Sequence, residues 1–250
     1  GIIQSVKEMN SEFNASAETA ENLRNKLNDL NTIDGLIQEY ETLNEKLEIV
    51  ERNHGDTKDI LDEIQRVKSE IIDADSRYQS VLEGHTEEYR EQVGLLESLQ
   101  GLEKHQAVQS EIDNLIDGWF TTASGVNRKY KNESGRLDHE VGLIDDIGAA
   151  YENNLAEQEE INKALANENL TLEEKKELKE DLVDLQEKES RYESLIASSL
   201  SENIQRLEDL EGFNEILDNA DLYNADKKGL EKVAISEETL ELFEALKEKY

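Results

Sequence analysis

Cysteine and proline are both missing from this 250-residue chain, and methionine and tryptophan occur once each. Without cysteine there is no disulfide framework, no zinc-thiolate site and no thiol nucleophile, and the redox compartment goes unmarked. Without proline, turns fall to stretches such as Gly55-Asp56 and Asn219-Ala220-Asp221. Aromatic residues make up 5% and the whole hydrophobic set 36%, short of the roughly 45–50% of an ordinary compact domain. No run approaches the ~18 consecutive apolar residues of a membrane span. Positive charge is scarce as well: 27 Lys and Arg face 60 Asp and Glu, a formal charge of −33. Such a chain repels a phosphate backbone and an anionic lipid surface alike, so no nucleic acid partner and no membrane within this segment are expected. The opening Gly1-Ile2-Ile3-Gln4-Ser5 has neither an initiator Met nor a signal pattern and reads as an excised piece of something longer.

What the chain does have is periodicity. Leu36, Tyr40, Leu43, Leu47 and Val50 step by four, three, four and three, a heptad seam on one helical stripe. Ile64, Val67, Ile71, Ala74, Tyr78 and Val81 repeat the pattern, as do Val108, Ile112, Leu115 and Trp119. A fourth seam holds Leu178, Leu182, Leu185, Tyr192 and Leu195/Ile196, continuing to Leu200, Ile204, Leu207 and Leu210. Acid-before-base pairs at i, i+4 fall in the same windows: Glu48–Arg52, Asp62–Arg66, Glu187–Arg191 and Glu202–Arg206. No window of similar length alternates with period two. The fold class is all-α, with elongated coiled-coil-like helices in long antiparallel hairpins, because the seams are narrower than the face of a globular bundle helix.

Punctuation divides the chain. Asn31-Thr32 offers a helix start, His54-Gly55-Asp56-Thr57 a stop followed by a cap, and Thr171-Leu172-Glu173-Glu174 a capping box. Ser236-Glu237-Glu238 starts a last short helix running to Lys249. Between Gly118 and Gly135 the apolar pattern fades, which suits either a chain reversal or one long helix through a weak stretch. The division expected is a first helical arm over 1–120 with breaks near 31 and 55, a turn or hinge over 121–136, a second arm over 137–217 broken near 169, and a polar turn with a short helix over 218–250.

Signs of chemistry are sparse. The four histidines, His54, His85, His105 and His139, are scattered, and Glu51-Arg52-Asn53-His54 is a single Glu-x-x-His without the second copy a di-iron bundle needs. Asp218 to Asp226 has the acidity of a calcium loop without the ligand register of one, and a polar turn is the simpler reading. No catalytic residue, cofactor or metal ligand is expected. The one basic cluster, Arg128, Lys129 and Lys131 with Arg136, follows Trp119 and Phe120; these five residues from Trp119 to Lys131 are the candidate docking tip, although Trp119 and Phe120 also suit the end of a hairpin core.

Residues 27–47, Leu27-Asn28-Asp29-Leu30-Asn31-Thr32-Ile33-Asp34-Gly35-Leu36-Ile37-Gln38-Glu39-Tyr40-Glu41-Thr42-Leu43-Asn44-Glu45-Lys46-Leu47, resemble the "Leu-Ile-x-Glu-Tyr-Glu-x-Leu" segments of phage tail tape measure proteins from Gram-positive hosts. Asn167-Glu168-Asn169-Leu170-Thr171-Leu172-Glu173-Glu174 is similar to their helix starts. The likeness touches about a third of the chain, which is far shorter than a whole family member and has no hydrophobic membrane-associated region. The resemblance implies a structural role in tail length determination and tail assembly. It implies seams that keep a rod helical (Leu36, Tyr40, Leu43, Leu47, Leu178, Leu182, Leu185) and, as partners, copies of itself, the tail tube and assembly chaperones. The location implied is the virion, or the host cytoplasm during assembly. Two other readings use the same residues: a bacterial cell-surface or cytoskeletal coiled-coil spacer, and a helical binding module with its tip at residues 119–136.

Overall fold

A computed structural model describes the backbone of residues 2–83, 89–119 and 122–250, and the side chains of residues 19–83, 89–117 and 122–250. It is all-α: 87% helical, with seven α-helices and no strand among the described residues. They are α1 (Ile2–Arg52), α2 (Lys58–Ala74), the single turn α3 (Gln79–Leu82), α4 (Tyr89–Trp119), α5 (Ala123–Leu165), α6 (Leu172–Leu222) and α7 (Glu237–Lys249). A 3-10 turn, Ser76–Tyr78, leads into α3.

The chain forms two compact units, each assembled from separated segments. The first comprises Gly1–Ala17, Ser124–Asn214 and Glu231–Tyr250; the second comprises Glu18–Ala123 and Glu215–Leu230. This partition differs from two successive arms: each unit takes its last segment from the C-terminal end of the chain.

In the second unit one core joins α1, α2, the 3-10 turn, α3 and α4 through Ile33, Ile37, Tyr40, Leu43, Ile60, Ile64, Val67, Ile71, Tyr78, Leu82, Val93 and Leu96. Several helices therefore share a core, where hairpin arms would have left only paired seams. The tyrosine hydroxyls are satisfied inside it: Tyr40 donates to Gln92 at 2.5 Å and Tyr78 to Glu103 at 2.8 Å. The seam of α1 runs through Ile33, Ile37, Tyr40 and Leu43, while Leu36, Leu47 and Val50 pack only partly buried at its edge. Val81 is likewise partly buried, Ala74 exposed, and Ile64, Ile71 and Tyr78 lie in the core.

In the first unit α5 and α6 run antiparallel. From Gln158 to Tyr130 on α5, the partner on α6 moves from Glu189 through Glu193 and Arg206 to Phe213. The buried α5 seam is Val126, Tyr130, Leu137, Val141 and Ile144, and the buried apolar residues of α6 within this unit are Leu185, Ile196, Leu200, Leu207, Leu210 and Phe213. Leu178 and Leu182 are half-buried and only Leu185 of that expected trio is fully covered.

Helix boundaries follow the expectations in some places and overturn them in others. No break occurs near 31: α1 continues through it because Leu23, Leu27, Ile33 and Ile37 keep the heptad in phase, and the Thr32 hydroxyl bonds back to the Asn28 carbonyl at 3.1 Å. The hinge over 121–136 is helix from Ala123 onward. Its small polar residues serve packing instead: Ser134 Oγ donates to the Ala234 carbonyl at 2.7 Å, and Asn127 accepts from the Glu231 amide at 3.0 Å. The polar turn begins at Tyr223, five positions after the expected 218, since Phe213, Ile216, Leu217 and Ala220 extend the buried face of α6.

The breaks near 55 and 169 are present. At Thr171 the capping box closes both ways: the Thr171 amide donates to Glu174 at 2.8 Å and the Glu174 amide to Thr171 Oγ1 at 3.3 Å. Ser236 caps α7 by accepting from the Thr239 amide at 3.4 Å. At the start of α2 Asp56 accepts from the Lys58 amide at 3.1 Å, and Thr57 makes no side-chain cap bond.

α1 stops in a Schellman arrangement, Gly55 N–H to Val50 O at 2.9 Å and His54 N–H to Glu51 O at 3.0 Å. Gly55 is required because a Cβ there would lie 2.8 Å from Val50 Cγ1. His54, by contrast, holds φ +54° with a side chain, where glycine is the usual occupant. His54→Gly is expected to stabilise the second unit by about 0.5–1 kcal/mol, the left-handed penalty of ~1–2 kcal/mol less the extra chain entropy of glycine. A shift of the urea midpoint to higher concentration at unchanged slope checks it.

Candidate functional site

The most chemically unusual place in the described structure is a polar layer inside the α5–α6 pair. The seam of α6 steps Ile196, Leu200, Asn203, Leu207, Leu210, so Asn203 takes a core position and Ile204 turns outward. Asn203 is fully buried and donates to the Ser199 carbonyl at 2.8 Å. Its amide oxygen accepts from Arg206, whose guanidinium also donates to Glu133 at 3.0 Å and to Glu140 at 2.8 Å. The Glu202–Arg206 surface pair expected from spacing is thus replaced by a buried bridge to α5. Arg136 holds the second Glu140 oxygen at 2.7 Å. Burial, the largest influence, pushes the Glu140 carboxyl up, but Arg136 and Arg206 together hold it below the usual carboxylate range.

One turn further along α6, Asp209 is also fully buried. Its Oδ1 accepts only a long 3.4 Å bond from Gln205, and Oδ2 has no hydrogen-bond partner. Burial pushes this carboxyl up to about 7; Gln205 and Lys129 pull against it, and Glu208 and Glu133 reinforce it. The layer is closed at its far side by the stacked rings of Tyr130 and Phe213, 3.9 Å apart and inclined 10°.

Of the expected docking residues, Arg128 and Lys131 are exposed on α5, whereas Lys129 is half-buried, with its ammonium 5.2 Å from the Tyr130 ring centre. The Trp119 side chain and Phe120 lie outside the described residues.

Nor does a metal site assemble: among the described residues no three His, Asp or Glu side chains could hold an ion. His54 ends a helix, His105 contacts the Tyr223 carbonyl at 3.1 Å, His139 is exposed, and His85 lies outside the described residues. The acidic stretch 218–226 is occupied structurally. Asp221 pairs with Lys227 at 2.7 Å, Asp226 caps the Lys228 amide at 2.9 Å, and the Asp226 backbone exchanges two hydrogen bonds with Gln109. In the cleft lined by Lys26, Ile33 and Gln106, Arg77 bridges Asp75 at 2.5 Å and Glu103 at 2.9 Å. The Arg77 bond holds Asp75 below its ordinary range, while burial and Glu103 raise Tyr78.

Pattern reading placed none of Asn203, Asp209 and Glu133 in a site, and gave Arg206 only a surface pair with Glu202. The available signal was phase: the four-three stepping from Ile196 and Leu200 lands on Asn203, and choosing the apolar Ile204 skips it. No described helix is long and apolar enough to cross a membrane. No family model matches the chain, and neither a curated protein nor a solved structure matches it.

Proposed function

We propose that the chain is a structural segment acting in phage tail length determination and tail assembly, like the tape measure proteins its sequence resembles. Its partners are copies of itself, the tail tube and assembly chaperones, and it performs no catalysis. The observation that supports this reading is helix length. α1, α5 and α6 run 51, 43 and 51 residues without interruption, against about 10–14 for a typical globular helix. In a continuous helix each residue contributes about 1.5 Å, so residue number converts directly into distance. The ion pairs fit the same role: Arg52 with Glu48, Lys163 with Glu159 and Lys176 with Glu180 are exposed i, i+4 contacts along helix surfaces.

The test is genetic. Deleting residues 158–185, the facing ends of the antiparallel α5 and α6, in the phage or prophage that encodes the chain is expected to shorten tails in electron micrographs by up to about 20 Å, and duplicating them to lengthen tails. Virions with unchanged tail length in both strains would sink the proposal. A cell-surface spacer draws on the same helix lengths; it predicts the protein on intact cells, detectable by antibody, with no effect on tails.

A further inference from the structure

The structure places an acid with one unpartnered oxygen inside a helix pair whose other buried acid, Glu133, is held by Arg206. Arg206 satisfies Glu133, Glu140 and Asn203 in one fork, yet one turn on, fully buried Asp209 has an oxygen bonded to nothing. A neutral carboxyl tolerates such a place; a carboxylate there needs water or a cation.

We propose that the polar layer around Asp209 is a proton-operated latch on the α5–α6 pairing, closed and dry while Asp209 carries its proton and hydrated and loosened once the proton leaves.

The groups acting on Asp209 are, among the described residues, Lys129 and Glu133 from α5 and Glu208 from its own helix. Arg206 lies on the same helix but is engaged by Glu133 and Glu140. From the returning segment, the Val233 backbone exchanges two 2.8 Å bonds with the Asn214 side-chain amide, and Lys232 is exposed. Among the described residues, Lys129 is the cation that draws Asp209 toward ionisation. Pairing with it would take the ammonium from its place over the Tyr130 ring.

The sign of the pH effect follows. The closed state keeps the Asp209 proton up to about pH 7, whereas in the opened state the carboxyl titrates near an ordinary ~3.9. The favourable contribution is therefore complete below about pH 4, is lost as pH rises toward 7, and stays lost above it.

Hydrogen exchange of the full chain, corrected for intrinsic amide rates, reads this directly for residues 126–137 and 203–213. Relative to Asp209→Asn, the wild-type opening constant should rise about tenfold per pH unit between pH 5 and 7 and level off above it. A ratio that stays flat or falls over that range would overturn the proposal. Titration of the wild-type Asp209 carboxyl by carbon-13 NMR decides the matter even if the variant does not fold. A midpoint near 7 supports the latch, and one near 4 removes it.

Discussion

Arg206→Leu is expected to destabilise the first unit by about 3–5 kcal/mol, because the change strands the buried Glu133 carboxylate without a counter-charge. Glu133 is buried and Glu140 half-buried, and the guanidinium is bonded to both as well as to Asn203, while Glu140 also keeps Arg136. Removing it leaves Glu133 desolvated with no counter-charge, a larger loss than any surface pair could produce. The exposed Arg52–Glu48 pair, by comparison, is worth a few tenths of a kcal/mol. The buried bridge is not itself a strong source of stability, since desolvation offsets most of its Coulomb attraction. Arg206→Leu combined with Glu133→Leu should consequently recover most of the loss. Urea unfolding of the three proteins, followed by helical circular dichroism, measures both steps. Equal midpoints for wild type and the single variant would show that the layer is wet.

Phe213→Ala is expected to cost a similar ~3–5 kcal/mol for a different reason. The Phe213 ring is 1% exposed and lies flat on the equally buried Tyr130, with centroids 3.9 Å apart. Truncation removes the ring's transfer free energy, leaves a cavity that two long helices cannot collapse around, and deletes a stacking contact worth about 0.5–1.5 kcal/mol. Phe213→Leu fills most of the space and should cost well under half as much. The same unfolding assay ranks the two, and equal losses would mean that ring geometry, not volume, holds the end of the layer.

How much of this was legible in the sequence depends on which physical signal each residue carries. Helical type was readable because the apolar spacing and the capping residues agree, as at Thr171–Glu174 and Ser236. Stripe position was harder. Leu36 and Ile37 are adjacent and both apolar, and only packing shows that Ile37 is buried while Leu36 rides the edge. Residues 123–136 misled for a related reason. Serine, asparagine and glycine normally mark loops, but here Asn127 and Ser134 bond the backbone of Glu231 and Ala234, more than ninety positions away. Local propensity carries no trace of so distant a partner. The polar layer was hidden by the assumption that charged residues face water: Arg206 has an acid four residues earlier, the usual mark of a surface pair, yet its partners are on α5.

The order in which the units' pieces occur along the chain sets a condition on how the protein is made. Each unit is completed by a late segment, Glu215–Leu230 for one and Glu231–Tyr250 for the other. The later segment threads back to α5 and α6 through Asn127, Ser134, Asp138 and Asn214. At a translation rate of about 5–20 residues per second, Glu215 follows the end of α4 by roughly 5–20 seconds. Until the late segments emerge, the face of α4 that awaits 215–230 and the face of α5 that awaits 231–250 stand uncovered, so the nascent chain is at its most adhesive just before those two segments are made.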